Sequence, residues 1–117
     1  MSNEPRFSNL SALRQRLARL CQSMNYGEIN NLPVRDCEPV LEGPQCVVLV
    51  DVKLDSEERP RQETEQSDFL LSAEVVRLMA LLDAIQDGKI SKIEIRAGIP
   101  RRVLWENRAA KFGGDST

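Results

Sequence analysis

Two stretches of the chain carry the same order of apolar and polar positions. Leu10, Leu13, Leu17, Leu20 and Met24 recur at steps of three and four, which predicts a helix with one narrow apolar stripe. Val75, Leu78, Leu82 and Ile85 repeat the pattern, with Leu71, Met79 and Leu81 widening the face, so the second helix is expected to be the more buried one. Gly27 and Gly88 follow each stripe at the same distance and predict left-handed helix ends. Strands are expected next, over residues 28–35 and 89–96. In both, the apolar residues fall at Ile, then three on, then two on, a shared slip that predicts a bulge or a first residue folded under the helix end. The turns that follow read RDCEP and RAGIP. Gly98 suits the positive φ of a two-residue hairpin turn, whereas Cys37 takes the same place at a cost of roughly 1 kcal/mol or more.

Sliding the chain by 61 residues aligns residues 10–40 with 71–101 without a gap and gives ten identities in 31 positions. About two would arise by chance at ordinary residue frequencies. We therefore read an internal duplication, with halves at 10–53 and 71–106, a charged linker at 54–67 and a polar tail at 107–117. The first half is extended by CVVLVDV, residues 46–52. This run is apolar on both faces over its first part and is expected to be a strand well inside the sheet. The predicted order is α-β-β-β-α-β-β. It implies one α+β domain over residues 1–117, a two-layer arrangement with both helices packed on one antiparallel sheet.

The step from Leu-rich helix into Tyr26-Gly27, then Ile29, then Asp36 before Pro39 resembles short bacterial proteins of uncharacterised function built from one helix and a β-hairpin. The resemblance covers helix, strand and turn in each half, and departs from that pattern at Cys37, where Gly is expected. It implies a bacterial protein and imports no activity. Helix, three strands and helix are also similar to double-stranded RNA-binding domains, but SDFLLSAE stands where those carry a lysine cluster, so that reading is rejected.

Composition narrows the chemistry. At 117 residues, 41% apolar and 29% charged, the chain is long enough to bury a core without staples. Histidine is absent, which removes the usual general base near neutral pH and the commonest zinc ligand. The three cysteines lack metal-site spacing, and Cys37 sits between Asp36 and Glu38, whose charge disfavours a thiolate nucleophile. No glycine spacing suits a phosphate loop. The reading is a non-enzyme with no cofactor, no metal, no catalytic residues and no evident small-molecule substrate. The start of the chain lacks the order of a secretory signal, and no run is apolar enough to span a membrane, so a cytoplasmic location is expected.

Charge is uneven: residues 46–70 carry a net −4 and residues 88–111 a net +5. Surface positions change sign between halves, so the second hairpin is the candidate partner surface. There Lys92, Arg96, Arg101 and Arg102 would meet acidic groups and Ile99 would add apolar contact. The function expected is a protein-binding or scaffolding module, with a protein partner or a second copy of the chain. Nucleic acid read by the basic hairpin is the alternative.

Overall fold

The computed structural model describes residues 5–55 and 68–106; most of the expected linker and the whole expected tail lie outside the described residues. It is an α+β chain with two helices and one antiparallel sheet. After a short 3-10 turn at Phe7–Asn9 come α1 (Ala12–Met24), β1 (Gly27–Arg35), β2 (Glu38–Pro39) and β3 (Val47–Val50). Then follow α2 (Ala73–Ile85), β4 (Gly88–Arg96) and β5 (Ile99–Trp105). This is the predicted order of elements. Among the described residues no helix is long and apolar enough to cross a membrane.

Both helices start on a serine cap: Ser11 Oγ accepts from the Arg14 amide and Ser72 Oγ from the Val75 amide, each at 3.2 Å. Their ends differ from the expectation. The positive φ falls on Asn25 (φ 66, ψ −60) and Gln86 (φ 65, ψ −69), two residues before each glycine. Each is the centre of a tight three-residue turn, closed by Tyr26 N–H to Met24 O and Asp87 N–H to Ile85 O, both 2.7 Å. Such turns are strained, and here each is latched by the other half. The Asn25 carbonyl accepts from the Gly98 amide and the Gln86 carbonyl from the Cys37 amide, both at 2.8 Å. Gly27 serves a different need, close approach: a Cβ there would overlap the Leu49 carbonyl oxygen of β3.

The sheet is centred on β1 and β4, paired antiparallel from Gly27 opposite Ile95 to Val34 opposite Gly88. The shared slip is present in both strands. Ile29, Leu32 and Val34 are buried in β1 as Ile90, Ile93 and Ile95 are in β4, with two half-buried residues between the first and second buried positions of each. Asn31 takes φ 59, and the β4–β5 register shifts between Ile90 and Lys92 and again between Glu94 and Ile95. These six side chains join Leu17, Cys21 and Met24 of α1 and Leu78, Met79, Leu82 and Ile85 of α2 in one core. The α1 stripe is rotated from the predicted one. Ala18 and Cys21 are buried, whereas Leu13 is 36% exposed, and α2 is not the more buried helix.

The three strands of the first half make only two ladders. β2 and β3 both pair with the side of β1 that faces away from β4. Val34 opposite Pro39 would put Ile29 opposite residue 44 if the register continued, but Ile29 stands opposite Val48. The intervening residues leave the ladder and return through bonds from Val40 N–H to Pro33 O and from Cys46 N–H to Gly43 O. The 46–52 run is therefore not inside the sheet. It contributes a four-residue edge strand, exposed along its length.

A second antiparallel contact ties the two helix entries. Phe7 N–H donates to Phe69 O and Leu71 N–H to Pro5 O, the two phenyl rings stack at 5.0 Å, and the Arg19 guanidinium lies 4.4 Å from the Phe7 ring centre. Asp68 accepts from Arg6 Nε at 2.8 Å and from the Ser8 amide at 2.9 Å.

Two expectations follow. Both hairpins turn through two positive-φ residues, Asp36 with Cys37 and Ala97 with Gly98. Cys37→Gly should raise stability by about 0.5 kcal/mol and Gly98→Ala lower it by about 1 kcal/mol, read by urea denaturation. The Arg6 and Ser8 bonds hold the Asp68 carboxyl down at about 2, below the usual value near 4. Because the folded state favours the ionised form, the tie contributes fully above about pH 4 and is lost as pH falls through about 2. Carbon NMR of Asp68 should show that depressed midpoint, and Phe7 amide exchange should accelerate over the same window.

Candidate functional site

Residues directly opposite in antiparallel strands share a face, so the register sorts the predicted cationic set. Glu28 is opposite Leu49 on one side and Glu94 on the other, and Glu94 is opposite Arg102. Asn30 is opposite Lys92, and Lys92 opposite Leu104. These rows lie on the face turned away from the buried Ile and Leu positions. Two carboxylates directly opposite repel, and the neighbours answer them: Lys92 Nζ lies 3.9 Å from Glu28, and Asn30 Nδ2 donates to Glu28 at 3.1 Å. Arg96 and Arg102 are exposed and have no ion-pair partner among the described residues. Lys92, Arg96 and Arg102 thus share one sheet face with Glu28 and Glu94 interleaved, giving a mixed surface rather than a basic one.

The other two predicted residues are not in this group. Arg101 is the extra residue of the β5 bulge, and its guanidinium pairs with Glu74 of α2 at 3.1 Å. Ile99, although opposite Arg96 in register at the hairpin end, is half-buried and lines a recess of about 60 Å³ with Ala18 and Gln22 of α1 and Val75 of α2.

The most exposed apolar feature among the strands is β3, whose four residues are between 38% and 53% exposed. Asp51 N–H donates to Tyr26 O at 2.8 Å, which fixes the alternation along the strand. Val47 and Leu49 turn their backbone groups to β1, while Val48 and Val50 turn theirs outward. On the helix side Val48 joins Leu20, Leu41, Phe7 and Gln15 around an open groove of about 790 Å³. On the other face Leu49 borders a shallow recess of about 610 Å³ with Glu28, Asp51, Lys53 and Glu94. The opposite edge, β5, is guarded by Pro100, a bulge at Arg101 and the charges of Arg101 and Arg102. Reading the 46–52 run as an inner strand missed this surface; the seven-residue excursion between Pro39 and Val47, with Gly43 and Pro44 in it, is the signal that the ladder breaks.

Between the helices a second polar cluster surrounds the first turn. Arg14 donates to the Cys37 carbonyl at 2.8 Å and pairs with Asp83, and Glu38 accepts from Ser11 Oγ at 2.6 Å. This set ties α1, α2 and the β1–β2 turn together, a structural role that explains why Arg14 stands amid an apolar helix face. Among the described residues no three Cys, Asp or Glu side chains converge as metal ligands. Burial pushes the Cys21 thiol up to about 12, and Cys46 is raised in the same direction by partial burial.

No protein-family description matches the chain, and neither a curated protein nor a solved structure was found similar to it.

The cysteines separate by accessibility. At mildly alkaline pH a disulfide reagent should consume the half-buried Cys37 and Cys46 in the native protein and reach Cys21 only on unfolding. Cys21→Ser should leave the native thiol count unchanged, and a native count of three would contradict the buried placement.

Proposed function

We propose that this chain is a non-enzymatic protein-binding module that engages its partner along the β3 edge and the adjoining open face of the sheet. The observation that carries this reading is β3 itself: four consecutive apolar residues, half exposed, with the backbone groups of Val48 and Val50 at a sheet edge and without partners among the described residues. Such an edge is a template for an added strand, where main-chain bonds supply affinity and alternate side chains supply selectivity. Lys92, Arg96 and Arg102 flank it across the open face and offer acidic groups of the partner a landing; Arg101 and Ile99 lie outside that face and are lesser contributors.

The same reading treats residues 10–53 and 71–106 as two copies of a helix-plus-hairpin unit, with the helices on one side of the shared sheet. The matching burial patterns of β1 and β4 and the reciprocal latches at Cys37 and Gly98 support it. On this view the copies have diverged at their outer strands. One is guarded by charge and a bulge, the other left apolar and open, so a single molecule has one adhesive edge.

A photo-crosslinking residue placed at Leu49 in the native cell should yield adducts with protein, and one placed at exposed Arg77 on α2 should not. Absence of protein adducts from position 49 would overturn the reading. Retention on duplex DNA, weakening steeply with salt, would replace it with nucleic-acid binding.

A further inference from the structure

We infer that the occupant of the β3 edge is β3 of a second copy, paired antiparallel about a twofold axis at Leu49. This rests on the reading of β3 as the binding edge and names its partner. The outward groups lie on Val48 and Val50, so an axis at Leu49 sets Val48 of each chain opposite Val50 of the other, and both pairs fall where main-chain bonds form. Four otherwise unpaired N–H groups and their carbonyl partners are satisfied, and the interface is self-complementary as twofold symmetry requires.

Charge narrows the register. Residues 46–50 carry no charge, so nothing repels across an axis at Leu49. Moving the axis to Asp51 or to Lys53 would set like charges directly opposite. The side chains agree with the same axis. Leu49 meets its own copy on the open face, and Val48 and Val50 meet over the helix side, where the groove beside Leu20 and Leu41 has room for the partner's edge. The pairing joins two sheets into one; the edges it leaves among the described strands are the two-residue β2 and β5, the latter guarded by Pro100, the bulge and the arginine charges.

Light scattering should report twice the 13.2 kDa chain mass across a hundredfold dilution series. Leu49→Lys and Leu49→Glu, each a change at a half-exposed side chain, should each scatter as single chains that still unfold in one cooperative transition, at a temperature lowered by the loss of association. Mixed together they should return to the doubled mass, because the axis then pairs opposite charges. As a second measurement, Leu49→Cys in a Cys37→Ser, Cys46→Ser background should oxidise to a covalent dimer, since residues opposite at a non-bonded antiparallel position lie within disulfide reach. A wild type at single-chain mass throughout, a doubled mass that survives Leu49→Lys, or a Leu49→Cys chain that stays uncoupled would each overturn the inference. Failure here is distinguishable from failure of the binding reading: crosslinks from position 49 to a different protein, with none to a second copy, would leave that reading standing and end this one.

Discussion

The pairing of β1 with β4 is the constraint from which the rest of the molecule follows. Ile29 opposite Ile93 and Leu32 opposite Ile90 are fully buried and come from halves separated by the whole second helix and the segment before it. Neither helix has a core without them, because the apolar faces of α1 and α2 are closed by these same side chains. Since adjacent side chains outside the bulges turn to opposite faces, fixing those pairs also fixes the opposite face. Glu28 must then stand opposite Glu94, and the cations Lys92 and Arg102 are placed to offset them. The mixed charge of the open face is thus a consequence of the core register.

Strain in the turns is stored against the same pairing. Asn25 and Gln86 adopt backbone conformations that side chains disfavour, and so do Cys37 and Ala97 at the hairpin tips. Each strained helix end offers its carbonyl to the tip of the hairpin from the other half, so neither conformation is held by its own neighbours alone. The latches form only once β1 and β4 have paired. Coupling of this kind favours a single cooperative transition over independent unfolding of the halves.

What the sequence revealed and what it hid divide along the distance of the interactions involved. The two apolar helix stripes, the strand positions after each glycine and the positive φ at Cys37 were legible because periodicity and turn chemistry are local, whereas the serine caps at Ser11 and Ser72 were not read. The shift of the left-handed residue from Gly27 to Asn25 was not, because Gly27 is reserved for contact with Leu49, a residue far along the chain. Arg101 looked like half of an exposed pair with Arg102, but a bulge sends it to Glu74. The rotation of the α1 stripe has the same origin: Arg14 is held by Cys37 and Asp83, and Leu13 is left half-exposed. No local pattern announces the Phe7–Phe69 tie, which depends on where the second helix begins in space.

The run CVVLV shows why apolar character alone misplaces a strand. Hydrophobicity on both faces is compatible with an inner position and with an edge awaiting a neighbour, and periodicity does not separate them. Hydrogen-bond geometry does. Only Val47 and Leu49 find backbone partners on β1, so half of the strand's main-chain groups are left over within the fold. β5 meets the same condition with charge and a bulge, which keep a second chain away. β3 meets it with valines whose N–H and C=O groups face outward, and an unpaired group of that kind is satisfied either by water or by another strand. Pairing with another strand also removes the flanking apolar surface from water, which hydration of the edge leaves exposed. The two edges of one sheet thus differ in kind: one is closed by charge and a bulge, and the other leaves apolar side chains and main-chain groups exposed.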